Sequence, residues 1–184
     1  MVRALGLPPD GGVLIIDKAF CVHLGIGRRD RPWPSTELRN IVDEMAHRSM
    51  KAQRIGQAVS DVAKVLAGLG DETIYLQVIC GNDGRGVVTG ILKTGRKRLF
   101  VQAPKTDGLK EINPRCVLDF YVHEEVQRTG FGISLFQEMM YFEKIGNPAK
   151  FAYDKPSAKF MKFLAKHFGL KDYDSQVNHF VVFK

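Results

Sequence analysis

The sequence holds 184 residues, enough for one ordinary globular domain and short for two. Hydrophobic residues are 45% and charged residues 26% of the chain, which excludes disordered and fibrous classes. Lys and Arg number 27 against 20 Asp and Glu, and the net charge of +7 predicts attraction to something acidic: nucleic acid, a phosphorylated cofactor or an acidic protein surface. Cys21, Cys80 and Cys116 are widely spaced, with no CxxC pair and no His-rich partner set, so no metal is expected and reduced thiols in a cytoplasmic protein are. The amino end has no apolar stretch of signal length, so neither secretion nor a membrane span is expected.

In chain order, residues 13–17 read as a strand entering the core, and residues 25–34, rich in Arg and Pro, as a loop. Ser35 is a candidate cap for helix whose apolar positions run from Leu38 through Ile41, Val42, Met45, Ile55 and Val62 to Leu66. The spacing predicts one long helix, or two broken near Gly56, stopping at Gly68 and Gly70. The period then changes. Residues 73–80, 86–92 and 98–102 are β-branched or apolar runs, and the Asn82-Asp83-Gly84 and Thr94-Gly95 segments between them signal antiparallel hairpins. Residues 115–123 read as a strand, 133–144 as a helix, 150–153 as a short strand, 156–168 as a helix with Pro156 in its first turn, and 178–183 as a final strand. No repeat or linker divides the chain, so residues 1–184 read as a single domain.

The segment Cys116-Val-Leu-Asp-Phe-Tyr-Val-His-Glu passes through Gln127-Arg-Thr-Gly130-Phe-Gly132 into the helix near Ile133. A strand leading through a glycine-rich turn into a helix presents unpaired N–H groups and the positive helix end to one point, where phosphate oxygens bind. No Gly-Lys-Ser/Thr follows, and the third glycine of a Rossmann fingerprint is missing. Gln-x-x-Gly-x-Gly after a strand resembles the pyrophosphate loop of the GNAT superfamily of acetyl-coenzyme A dependent N-acyltransferases. With Leu135-Phe-Gln, Asp154-Lys-Pro-Ser157, Lys162-Phe-Leu, Gln176-Val-Asn, Gly90-Ile-Leu-Lys-Thr-Gly and Lys51-Ala-Gln53, the resemblance narrows to the α-tubulin N-acetyltransferases. It runs from about residue 38 onward and leaves residues 1–34 unmatched.

That resemblance implies an α/β, GNAT-type acyltransferase fold: a mixed, mostly antiparallel, splayed sheet with helices on both faces. It implies transfer of acetyl from acetyl-coenzyme A to a lysine ε-amine of α-tubulin in microtubules, with coenzyme A as product. A lysine of ordinary pKa is neutral only to the order of one part in a thousand at pH 7, so a general base is needed. The resemblance makes Asp154 that base, with Cys116 assisting without being acylated and Gln53 needed for activity. It assigns Phe120, Tyr121, Val122, Gln127, Arg128, Thr129, Gly130, Phe131, Gly132 and Ile133 to the cofactor, with Ser157, Lys159 and Lys166 at the nucleotide end.

On a regular strand Cys116 and Asp119 point to opposite faces, so both serve one site only if a bulge or splay intervenes; Asp119 is therefore assigned to orienting the substrate or the sheet. Lys93, Arg96, Lys97 and Arg98 form a basic run with no acid from Leu92 to Gln102, read as an exposed hairpin tip in which Lys93 and Lys97 dock on an acidic protein such as tubulin. Nucleic acid is disfavoured because aromatics are not interleaved with these cations. The expected location is the cytoplasm and the microtubule cytoskeleton, including the axoneme of a cilium or flagellum. The alternatives are a GNAT transferase for another protein lysine or a small amine, and a catalytically silent tubulin-binding or nucleic-acid-binding module. The oligomeric state is not legible.

Overall fold

Along strand β2 (Gly12–Ile16) alternate side chains enter two different cores, Leu14 and Ile16 one, Val13 and Ile15 the other. A strand with apolar residues on both faces must be covered on both. The computed structural model describes residues 2–4, 11–18, 22–24, 35–68, 70–80, 86–102, 108–176 and 179–184, and in it helices pack on both sides of one mixed sheet. Besides β2, its strands are β1 (Val2–Ala4), β3 (Val22–Leu24), β4 (Glu72–Cys80), β5 (Gly86–Arg96), β8 (Arg115–Val122), β9 (Ala152–Asp154), β10 (Tyr173–Ser175) and β11 (Phe180–Phe183). Their spatial order is β10-β11-β9-β8-β5-β4-β2-β3, with β1 also on β5; every pairing is antiparallel except β8 with β9. Strands β6 (Leu99–Gln102) and β7 (Leu109–Ile112) form a separate ribbon. The mixed, mostly antiparallel α/β fold expected from the sequence is the one observed.

Helix α1 (Ser35–Gln53) covers one face through Ile41, Val42, Met45 and Ala46, and the short α2 (Val62–Leu66) adds Val62 and Val65. This core takes in Ile74, Leu76, Ile91 and Tyr121 from the sheet. Helices α3 (Phe131–Phe142) and α4 (Ala158–Phe168) cover the other face, where Leu135, Phe136, Met139 and Leu164 meet Tyr75, Leu92, Val117 and Tyr153. Phe120 joins Phe136, Phe160, Phe163 and Phe168 there in an aromatic cluster.

The expected break near Gly56 is observed, and one hairpin expectation changes. The break in the first helical stretch precedes Gly56: Arg54 takes φ +56°, its N–H reaches Lys51 O at 3.2 Å, and the N–H of Ile55 reaches Met50 O at 3.2 Å. This is a Schellman end with arginine in the left-handed position usually given to glycine, so the sequence carries no stop signal there. Thr94-Gly95 is no turn. Both residues lie inside β5, paired with β4 on one side and β8 on the other. A Cβ on Gly95 would lie 3.0 Å from Leu118 Cδ1 and 3.1 Å from Glu72 Cγ, so the glycine serves close packing within the sheet.

Helix α4 starts after the Ser157 cap, which leaves Pro156 just outside it. Strands β1, β3, β7 and β10 were not expected. The arginine-rich segment, Cys21 and Asn82-Asp83-Gly84 lie outside the described residues. No helix among the described residues is long and apolar enough to cross a membrane.

Candidate active site

Strand β8 leaves the sheet through a 3-10 turn, Glu124–Val126, into the loop before α3. Gln127 Nε2 donates to Val122 O at 2.8 Å and Thr129 Oγ1 to Val126 O at 2.6 Å, so both side chains shape the loop. Arg128 takes φ +68° and Gly130, at the N-cap of α3, φ +96° with no side-chain cap. The first-turn N–H groups of Phe131, Gly132 and Ile133 are thus left by their own helix for an outside acceptor. A Cβ on Gly132 would make only ordinary contacts, 3.6 Å from Phe120 and Val122 and 3.7 Å from Phe163. The fold therefore does not require glycine at this position.

At the other end of β8 the sheet splays. Strand β9 pairs with β8 only at Cys116↔Ala152 and Val117↔Tyr153, and the stretch from Leu118 to Val122 has no β9 partner. Toward β5 the register slips by one residue: Lys93 faces Asp119 and Thr94 faces Val117, with Leu118 as the extra residue of a bulge. The bulge turns Asp119 to the face that Cys116 occupies. Cys116 is buried with Leu99, Leu118 and Ala152, and Val59 packs on them from the loop before α2. Asp119 accepts from Ser49, Gln53 and Ser60 on the same side.

Asp154 ends β9, two residues past Ala152 and on its face. Burial pushes its carboxyl above the usual carboxylate range, while Lys155 and Lys97 pull the other way. Burial likewise pushes the Cys116 thiol up to about 11, against the opposing pull of the Lys97 N–H and charge, so the sulfur is a thiol at neutral pH. For Asp119 burial again raises the carboxyl, opposed by hydrogen bonds from Ser60, Ser49 and Gln53 and by the charge of Lys93.

The site thus has a buried thiol and a half-buried carboxyl where the strands part, and an uncapped helix end at the far end of the same strand. Residues 12–184 match the family described as GNAT acetyltransferase, Mec-17. The chain belongs to that family. It is 44% identical to a protein named Alpha-tubulin N-acetyltransferase from Leishmania infantum over 147 residues, 80% of this chain and 57% of that one. With Alpha-tubulin N-acetyltransferase 1 from Danio rerio it shares 40% over 163 residues, 88% and 54% of the two chains. With the Trichoplax adhaerens protein of the first name it shares 47% over 139 residues, 74% and 57%. The chain spans somewhat over half the length of these relatives. The family match also takes in β2, which the motif reading leaves outside the resemblance.

On this GNAT framework the expected site residues fall into separate groups. Cys116 and Asp154 share a face, and Gln53 reaches that face through Asp119. Ser157 Oγ accepts from the Phe160 N–H at 3.2 Å as the cap of α4, and Lys159 and Lys166 are exposed on that helix. Phe120 and Tyr121 turn their side chains away from each other, Phe120 into the aromatic cluster and Tyr121 into the core under α1, with its hydroxyl donating to Glu124 of the 3-10 turn at 2.9 Å. Both residues pair with β5, and past Val117 the other edge of β8 has no β9 partner.

The basic tip is corrected at Lys93, while Arg96, Lys97 and Arg98 stay exposed. Lys93 is 4% exposed, 2.7 Å from Glu72 Oε2, and donates to Val59 O at 2.9 Å; it is an internal tie. Lys97 faces Glu72 at 3.5 Å, Arg96 faces Asp71 at 3.3 Å and Arg98 faces Glu111 at 2.9 Å. The run lacks acids in sequence, yet each cation meets one from another segment.

The sequence reading missed Ser49 and Ser60. Ser49 stands one helical turn before Gln53, a spacing that puts both on one face of α1. It also missed Arg115, whose guanidinium bridges Glu143 at 2.7 Å and Asp71 at 2.9 Å and anchors the end of α3 to the sheet.

Proposed function

We propose that this chain transfers acetyl from acetyl-coenzyme A to the ε-amine of a lysine on α-tubulin. The observation that carries the reading is the parting of β8 from β9 with Cys116 and Asp154 on one face, on the strand that ends in the uncapped α3 terminus. The names of the relatives support tubulin as the acceptor. Gln127, Arg128, Thr129 and the N–H groups from Gly130 to Ile133 would hold the pyrophosphate, with Ser157, Lys159 and Lys166 toward the nucleotide. The edge of β8 along Phe120, Tyr121 and Val122 that faces away from β5, past the short pairing with β9, suits the amide-bearing arm. When bound, the cofactor supplies the thioester carbonyl that the amine attacks. Asp154, raised by burial, takes the proton of the incoming ammonium directly or through one water. Cys116, held as a thiol, borders the reacting carbon and is the wrong protonation state for a nucleophile. Of the cations assigned to the acceptor, Lys97 keeps an exposed side chain. Such a protein would work in the cytoplasm on microtubules, including those of an axoneme.

Thiol release from acetyl-coenzyme A is the test, with purified tubulin, a basic non-tubulin protein and a small polyamine as acceptors. The reading expects release with tubulin and acetyl mapped to a lysine of the α subunit. Equal rates with all three acceptors would replace it by a general amine acetyltransferase, and no release with any would leave a silent module.

A further inference from the structure

Gln53, the last residue of α1, has its amide N–H donors committed inward. Nε2 lies 2.8 Å from Asp119 Oδ1 and 2.7 Å from Ser49 Oγ. Ser49 in turn donates to the same Oδ1 at 2.7 Å, and Ser60 donates to Oδ2 at 2.7 Å. A carboxylate only accepts, so the opposite flip of the Gln53 amide would set its oxygen against Oδ1; the network selects one orientation. The atom of Gln53 turned away from the cluster is then Oε1, an acceptor. Asp119 is 4% exposed and touches three parts of one wall: the end of α1, the loop ending at Ser60, and β8 at its bulge. Val59, next to Ser60, packs against the group that holds Cys116.

We propose that Asp119 is a positioning residue for acetyl transfer, holding Gln53 so that it presents its carbonyl oxygen to the N–H of the incoming amine. This rests on the lysine acetyltransferase reading. An attacking amine must aim its lone pair at the thioester carbon while its N–H bonds point elsewhere. An acceptor beside those N–H bonds fixes that aim, whereas a donor in the same place would occupy the lone pair itself. The proton still leaves to Asp154, and no bond to Gln53 or Asp119 forms or breaks.

The test is a double-mutant cycle with Asp119→Asn and Gln53→Met, reading steady-state rates on tubulin and acetyl-coenzyme A affinity by calorimetry. Asp119→Asn keeps the shape but lets the Gln53 amide turn. It should lower kcat/KM for the acceptor about tenfold or more, leave cofactor affinity within about twofold, and cause little further loss once Gln53 is already Met. Ser60→Ala frees only Oδ2 and serves as the second variant should Asp119→Asn misfold; its smaller loss should also vanish in the Gln53→Met background. Losses that multiply independently, or that fall equally on cofactor affinity, would overturn the positioning role and leave Asp119 a structural residue. A wild-type chain inactive on tubulin would instead refute the substrate reading, and this proposal with it.

Discussion

Cys116 and Asp119 have an odd spacing on β8 and yet face the same side of the sheet, because Leu118 is an extra residue between the pairs Lys93↔Asp119 and Thr94↔Val117. Regular alternation would have put one of them among the aromatic rings under α3 and α4. The bulge instead sets the thiol and the Asp119 network side by side, beneath the loop that carries Val59 and Ser60.

The same register puts Lys93 in the interior, so Lys93 and Lys97 should separate in their effects. Lys93→Met strips a buried partner from Glu72 and a donor from Val59 O, and should cost about 3 kcal/mol. Lys97→Met, on a side chain 44% exposed, should cost under about 1 kcal/mol. Urea denaturation of the two variants decides; equal midpoints would remove the internal role of Lys93.

Gly130 and Gly132 should also part company. Gly130→Ala forces a side chain onto φ +96° and should destabilise by about 1–2 kcal/mol even though nothing lies within 4 Å of the new Cβ. Gly132→Ala meets only ordinary contacts and should keep the wild-type melting temperature. Calorimetric titration with acetyl-coenzyme A should show weaker binding by Gly132→Ala despite its intact fold; unchanged affinity would take the ligand away from this helix end.

Asp154→Asn should lower turnover by ~10² to 10⁴-fold with little change in cofactor affinity. A base works only when deprotonated, and burial raises this carboxyl, so activity should climb with pH through a midpoint above the ordinary Asp value of about 3.9. Lys97→Met removes a cation that holds the group down and should move the acid limb to still higher pH. The sign for stability is opposite. An acid with a raised folded pKa loses stability as pH rises, so Asp154→Asn should melt higher than wild type at neutral pH. An acid limb unmoved by Lys97→Met would detach Asp154 from that limb.

Cys116 should resist alkylation. With its thiol pushed up to about 11, peptide-mapped labelling by iodoacetamide should be slow at pH 7 and rise about tenfold per pH unit, while the exposed Cys80 reacts first. Cys116→Ala should lose less activity than Asp154→Asn. An acetyl adduct on Cys116 that passes to tubulin would overturn direct attack by the amine.

Wherever chemistry is written within a few neighbouring residues, the sequence by itself determined the outcome: the run from β8 through Gln127 and Gly132 into α3, the apolar run that makes β2 a core strand, and the motifs that place the chain in its family. Strand and helix periods are local, and a glycine-rich helix start needs no distant partner to be legible. Only the tertiary structure decided the rest. Gly95 reads as a turn because glycine suits turns, yet Leu118 and Glu72, from two other strands, are what exclude a side chain there. Lys93 reads with Arg96, Lys97 and Arg98 as one exposed tip because its counter-charge Glu72 lies in a strand that only sheet pairing brings beside it, whereas the other three do stay exposed. Asp119 looked misdirected because a strand's period of two is the default, and the bulge that reverses it is a register between strands that no single strand carries.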